Sequence, residues 1–390
     1  MSDARTRLRI GYIPLVDAAG VIIAADKGFA AAEGLDIEPV REVSWSNVRD
    51  KLNIGLFDAA HLLAPVAIAS SLGIGHVRVP ILAPFNLSLN GNAITVSPRL
   101  FTEIARTVEG DMAAPKVTAR ALGRIVRQRR DRGEDPLAFG MTFPFSTHNY
   151  QLRFWMAAGG VDPDEDVRLV VLPPPYMVES LTNGQVDGFC VGAPWNSVAV
   201  DLGVGYILHF VSDILARGAE KVLAVRQQWA SQNPQLLERL LRAVGRAASF
   251  IDEPANRDEV ARILAAPDRI GVDAEVVRRT LDGRLKMSPD GAVRTSERYL
   301  LIGRFGASCP DPVQAAWLYA QMVRWKQSPL AADLLAAAKA VFRPDLYASA
   351  LGSASPRLAG EPADGIGAFA GRPFDADDIA AHLSQWTAGQ

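Results

Sequence analysis

Cysteine is scarce: Cys190 and Cys309 are the only two in 390 residues. They lie far apart and show no metal-ligand spacing, so buried free thiols are expected rather than a disulfide or a metal centre. An excess of either charge is also missing. Lys and Arg number 41 against 43 Asp and Glu, a formal net charge of -2, which gives no reason to expect nucleic acid as a partner. No long apolar run occurs, because "VIIAADKGFAAAEGL" is interrupted by Asp26, Lys27 and Glu33; a membrane span is therefore not expected. The five histidines, His61, His76, His148, His209 and His382, form no H-x-x-x-H pair, which removes the usual zinc signature. Neither a G-x-S-x-G elbow nor a phosphate-cradling P-loop is present. Asp58 near His61 in "GLFDAAH" is an acid–imidazole neighbourhood common at helix starts, and no enzyme, cofactor or metal is expected. The opening "MSDARTRLRIGYIPLVDAAG" runs from a polar start into a strand with no apolar leader, so a cytoplasmic location is the expectation.

What is present is alternation. "RLRIGYIPL" reads as a strand, "AGVIIAADKGFAAAEG" as a helix stopped at Gly34, and "LDIEPVREV" as a strand again. "SNVRDKLNIG" reads as a short helix capped by Ser46, and "FDAAHLLAPVAIASSLG" as a strand passing into a helix. This βαβα grammar calls for a mostly parallel sheet covered by helices. Residues 99–135 are helical and Arg-dense, with Arg120, Arg124, Arg127, Arg129 and Arg130; amphipathic spacing and the acidic flank favour a solvated helix over a nucleic-acid face. New strands follow in "LAFGMTF", "VRLVVLPPP", "VDGFCVG" and "VGYILHFV", and "KVLAVRQQWA" leads back into helices.

The expected architecture is α/β and two-lobed, each lobe a mainly parallel sheet flanked by helices. The divisions are 1–97 for the first part of lobe 1, 98–219 for an inserted lobe 2, 220–350 for the return to lobe 1 with C-terminal helices, and 351–390 for a loosely held C-terminal wrap. Crossings between lobes are expected near Val96 to Pro98 and near Val211 to Lys221. Ligands of such sheets gather outside the carboxyl ends of the strands, here between the lobes.

A small planar anion in a dry cleft needs a full positive charge, several N–H donors and a flat apolar wall. Lys221 in "RGAEKVLAV" stands at the start of a strand at the proposed crossing, either as that charge or as a solvated edge lysine. His148 in "FPFSTHNYQLRFWMAAGG" begins a helix, where free N–H groups favour negative charge; a purely structural helix-start residue is the alternative. Trp45 in "REVSWSNVRDKL" lies at a strand-to-helix turn, as wall or as core. Asn92 in "LNGNAITV" is either the turn of an Asn-Gly hairpin or an amide donor. Trp195 in "GFCVGAPWNSVAV" is expected to pack rather than to touch a ligand. His61, Gly91, Thr147 and Gly192 are secondary candidates.

The blocks "GYIPLVDAAGVIIAADKGFAAAEGLDIEPV", "SWSNVRDKLNIGLFDAAHLLAPVAIA", "LNGNAITVS", "MTFPFSTHNYQLRFWMAAGGVDPDEDV", "VDGFCVGAPWN", "EKVLAV", "AAWLYAQMVRWKQ" and "FRPDLY" occur in this order. Together they resemble the nitrate/bicarbonate substrate-binding proteins typified by NrtA and CmpA, and within them the NasS-type cytoplasmic nitrate and nitrite sensors. The resemblance implies a type II periplasmic-binding-protein (Venus flytrap) fold and one oxyanion per cleft. It assigns the ligand contacts to Trp45, Asn92, His148 and Lys221. Transporter members usually carry glutamine where Asn92 stands, and "GEPWN" where this chain has Ala193 in "GAPWN". Bicarbonate-binding relatives place an acid at the Lys221 position to support calcium, so the lysine here favours nitrate or nitrite. The sensor resemblance further implies a partner antiterminator of the NasT type, held by the ligand-free protein and released when nitrate or nitrite binds. A nitrate-transporter receptor of the same family is the first alternative. A pyrimidine-precursor synthase-like enzyme is the second, although the cysteine-rich iron-binding segment of such relatives is missing.

Overall fold

The computed structural model describes residues 5–387. Two sheets organise the chain. The first is built from β1 (Thr6–Tyr12), β2 (Leu35–Arg41), β3 (Ala59–Leu63), β4 (Ile81–Asn90) and β10 (Ala219–Arg226), with the two-residue strand Leu300–Leu301 at one edge. The second holds β5 (Asn92–Val96), β6 (Ala138–Met141), β7 (Arg168–Val171), β8 (Gly188–Gly192) and β9 (Tyr206–Phe210). Both sheets are mixed. β1 pairs in parallel with β2 and β3, as βα alternation requires, but β10 runs antiparallel to both β3 and β4. In the second sheet β6 is parallel to β7 and β8, whereas β5 is antiparallel to β8 and β9. The antiparallel members β5 and β10 are the strands that enter each sheet directly from the other one, with no crossover helix to make them parallel.

Helices cover these sheets, among them α1 (Ala19–Asp26), α2 (Phe29–Ala32), α3 (Trp45–Asn53), α4 (Ala64–Leu72), α5 (Pro98–Thr107), α6 (Pro115–Asp131) and α7 (Thr147–Ala158). The single helix expected over "AGVIIAADKGFAAAEG" is two, because Gly28 takes φ 76° and breaks the hydrogen-bond ladder between α1 and α2. α3 starts two residues earlier than expected: its cap is Ser44, which accepts from the Asn47 amide, and not Ser46. On α6 the arginines face outward in ion pairs such as Arg124–Glu109 and Arg130–Asp166, while Ala121, Leu122, Ile125 and Val126 are buried. This is the solvated amphipathic helix.

The passage between sheets differs from expectation in position. β4 and β5 are not a hairpin: Asn90 ends in one sheet and Asn92 begins in the other, so the chain crosses at Gly91, ahead of Val96 to Pro98. Gly91 has φ 87°, and a side chain there would meet Leu300 at 2.7 Å. The return passage lies between Phe210 and Ala219, beside the first. Asn90 ties the two together. Its Nδ2 donates to the carbonyls of Ala216 and Arg298, both at 2.9 Å, and its Oδ1 accepts from the Gly218 amide at 2.9 Å. Its own φ of 59° is a conformation that asparagine tolerates better than most residues. Asn90→Ala is expected to lose about 3 kcal/mol in chemical denaturation, because three buried or part-buried backbone groups lose their partners. A loss below about 1 kcal/mol would show that the crossing does not depend on them.

The segment expected as a loosely held wrap is pinned to the same crossing. Ala216 and Arg217 donate backbone N–H groups to Gly367 and Ile366, and the buried Arg217 guanidinium pairs with Glu361 at 3.2 Å. The closing helix Ile379–Thr387 places Trp386 against Phe154 of α7 and under Arg324. Burial holds the Arg324 pKa down at about 10. Among the described residues no helix is long and apolar enough to cross a membrane, and the two cysteines are free thiols.

Candidate functional site

Between the two sheets lies a sealed polar cluster. Lys221, the third residue of β10, is 0% exposed and sits in an interior strand between β3 and β4; it is no solvated edge lysine. Its Nζ lies 2.9 Å from Glu220 Oε1 and 3.0 Å from Asp17 Oδ2. Adjacent residues on a regular strand point to opposite faces. Here the register against β4 shifts on both sides of Lys221, and this irregularity lets Glu220 and Lys221 meet. Asp17 comes from the short 3-10 turn Val16–Ala18 just after β1, the carboxyl end of a parallel strand. It also accepts from His61 Nε2 at 2.8 Å, while His61 Nδ1 faces the Ile13 amide at 3.5 Å. The partner of His61 is therefore Asp17. Asp58 instead accepts from the Arg9 amide.

Trp45 opens α3 and is 1% exposed. Its ring centroid lies 5.4 Å from Lys221 Nζ and 5.4 Å from the His61 ring, so the indole makes a wall beside the ammonium. The second sheet's domain supplies the opposite side. Ser146 caps α7 by accepting from the Asn149 amide, and this seats His148 in the first turn, wholly buried. His148 Nδ1 is 3.1 Å from Glu220 Oε1 and 3.2 Å from Thr142 Oγ1. Asn92, the first residue of β5, gives its Nδ2 to Glu220 Oε2 at 2.6 Å and more weakly to Gln151 Oε1 at 3.4 Å. Its amide thus binds Glu220, and its Oδ1 is left without a partner.

Four further polar atoms of this cluster are buried without hydrogen bonds: Trp45 Nε1, His148 Nε2, Gln151 Nε2 and Asp17 Oδ2. The last is ion-paired to Lys221. The other three are nitrogens on three different side chains of the cluster. Buried polar groups are normally satisfied, and such an accumulation calls for an explanation. A small oxygen-rich guest provides one.

The electrostatics favour a fixed cation. Burial opposes the charge on Lys221, but Asp17 and Glu220 outweigh it and raise the lysine pKa above its ordinary value. Burial likewise opposes ionisation of Asp17, yet Lys221 and His61 hold its carboxyl below the usual carboxylate range. Glu220 goes the other way: burial raises its pKa against the pull of Lys221. Burial, with Lys221 adding to it, pushes His148 well below the ordinary histidine value, and burial lowers His61 against the pull of Asp17.

Of the residues singled out in the sequence, Trp45, Asn92, His148, Lys221 and His61 fall in this cluster. Gly192 borders it, since a Cβ there would sit 3.4 Å from Asn92 Oδ1 and 3.5 Å from Asp17 Oδ2. Thr147 serves to anchor α7, its Oγ1 donating to the Ala219 carbonyl at 2.7 Å. Gly91 belongs to the crossing, and Trp195 is a half-buried packing residue. Asp17, Glu220 and Gln151 were not anticipated. Gln151 is one turn beyond His148 on the same helix face, a readable signal; the other two show only as acids beside apolar runs.

Residues 2–265 match the model of the NMT1-like family. Across 385 residues the chain is 31% identical to the nitrate/nitrite binding protein NrtA of Synechococcus elongatus, covering 96% of this chain and 84% of that protein. It is also 31% identical over 390 residues to the nitrate import ATP-binding protein NrtC of Synechocystis, but there it spans 55% of the relative's length. Among solved structures, the periplasmic nitrate-binding protein NrtA from Synechocystis superposes with a TM-score of 0.86 at 28% identity, covering 98% of both chains. The aliphatic sulphonate binding protein SsuA from Escherichia coli, at 15% identity and TM-score 0.56 over 88% of this chain and 99% of that one, shares the fold.

Proposed function

The chain belongs to the NMT1-like family and groups with its NrtA nitrate/nitrite-binding members, and from that membership we propose that it binds nitrate or nitrite at the Lys221 cluster, without catalysis. One observation carries the reading: a buried ammonium beside an indole wall, in a cluster where Trp45 Nε1, His148 Nε2 and Gln151 Nε2 are buried without hydrogen-bond partners. A flat monovalent anion suits a fixed cation, convergent N–H groups and a planar apolar face. Titration calorimetry with sodium nitrate, sodium nitrite and sodium bicarbonate tests it. Saturable binding of one nitrate or nitrite per chain is expected; heat from neither salt sinks the proposal.

The proposed role is that of a cytoplasmic sensor. The cluster is sealed, so a guest enters when the domains part and is enclosed when they close. A guest that prefers the closed form shifts the molecule towards it, and a protein that prefers the open form is released to the same degree. An antiterminator of the NasT type is the proposed partner, on the strength of the sequence blocks that resemble NasS-type sensors. The receptor of a nitrate importer is the second reading, favoured by the names of the NrtA and NrtC relatives. Size-exclusion chromatography with such an antiterminator separates them: the sensor forms a complex that millimolar nitrate dissolves. Failure to form a complex, together with nitrate-dependent stimulation of a permease–ATPase pair, selects import.

A further inference from the structure

The polar cluster holds more acidic groups than fixed cations. Asp17 and Glu220 are two buried carboxylates against the single ammonium of Lys221. With both imidazoles neutral and both carboxyls ionised, one negative charge is uncompensated before any guest arrives. The neighbouring titratable groups do not correct this: burial pushes the Cys190 thiol and the Tyr299 hydroxyl upward, so both stay neutral. A second anion in the same dry space would be strongly disfavoured.

The hydrogen-bond geometry raises the same difficulty at one atom. Against an ionised Glu220, a neutral His148 must carry its proton on Nδ1, the nitrogen 3.1 Å from Glu220 Oε1. Its Nε2, buried and unpartnered, then offers a lone pair and repels an oxyanion. One proton added to this pair removes both problems. Placed on Glu220, it makes an O–H that donates to Nδ1 and leaves Nε2 as the N–H donor. Placed on His148, it makes an imidazolium whose two N–H groups face Glu220 and the guest. Resting on the proposal that the guest is nitrate or nitrite, we infer that the anion binds together with one proton held by the Glu220–His148 pair, Glu220 being the positioning residue that decides whether His148 can donate.

A divalent cation is the other way to balance the charge, but the Lys221 ammonium already occupies the place between the two carboxylates. Among the described residues no group of three acid, histidine or cysteine side chains is arranged to hold a metal. Asn92 Nδ2 on Glu220 Oε2 fixes the carboxyl on its other side, and Thr142 Oγ1 can turn to either role beside Nδ1.

Nitrate calorimetry on the intact chain from pH 6 to 9, in buffers of different ionisation heat, tests the inference. Uptake of about one proton per nitrate at pH 8 is expected, with affinity falling by up to about tenfold per pH unit above neutral. The sign follows from a complex that binds one more proton than the free protein. Glu220→Gln keeps a donor towards Nδ1 without a titrating group, so it should bind nitrate at pH 8 with a flat pH profile. A wild type that binds nitrate with no proton uptake and a constant affinity from pH 6 to 9 overturns the inference alone, as does a Glu220→Gln variant with the wild-type slope. Absence of nitrate and nitrite binding at every pH overturns the functional proposal, and the inference with it.

Discussion

Replacing Lys221 by methionine is expected to abolish measurable nitrate binding and to destabilise the fold by about 3–5 kcal/mol. The butyl stem of lysine and the methionine side chain fill similar volumes, so the loss is electrostatic rather than steric. Asp17 and Glu220, each at most 2% exposed, would keep their burial and lose their common counter-charge. Removing one partner of a buried ion pair is costly because the remaining charge has no solvent to turn to. The pH dependence should follow. In the variant, both carboxyls would have folded-state pKa values above their unfolded ones, so they destabilise the fold when ionised. The deficit relative to wild type should be fullest at neutral pH and shrink as the pH falls towards 5 and the carboxyls protonate. Urea unfolding at pH 7 and pH 5, with calorimetry alongside, reads both quantities. Lys221→Glu, which adds a third acid, should behave worse in each. Nitrate affinity unchanged in either variant removes the lysine from the site.

Trp45 separates wall from donor. Trp45→Ala empties a fully buried indole-sized space and should cost about 3–5 kcal/mol, enough to unfold much of the protein on mild heating. Trp45→Phe retains most of the flat apolar face beside Lys221 and deletes the Nε1–H, which has no hydrogen-bond partner among the described residues. Losing an unsatisfied donor does not harm the free protein, so only about 1–2 kcal/mol is expected from lost packing. Nitrate affinity should fall much further in proportion, by roughly 10- to 100-fold, the usual worth of one hydrogen bond to a charged acceptor. A Trp45→Phe variant that binds nitrate like wild type would show that the indole N–H points away from the guest.

Strand and helix identities were legible because they depend on near neighbours. The apolar strand "RLRIGYIPL", the Ser146 cap before His148 and the amphipathic spacing of α6 all specify their own local structure. The periplasmic-binding-protein-like two-domain fold followed from the order of those elements. Where local signals competed, the reading failed locally: Ser44 and Ser46 are both good caps, and the first won because its Oγ reaches the Asn47 amide. The Asn90–Gly91 pair looked like a hairpin turn, but it joins two different sheets, a distinction made by strand partners far along the chain.

The candidate site divides in the same way. Residue types suited to an anion, a lysine, a histidine at a helix start and a tryptophan at a strand end, stand in the sequence and were recognisable there. Their charge balance was not. Asp17 lies 204 positions before Lys221 and Glu220 72 after His148 in the numbering, and no periodicity relates such distant residues. Side-chain chemistry and local capping travel with the sequence, because each needs only the next few residues. Which acids share a cation, and whether an imidazole has a proton to give, was decided by the packing of two domains that exclude water and set these groups within 3 Å or so of each other.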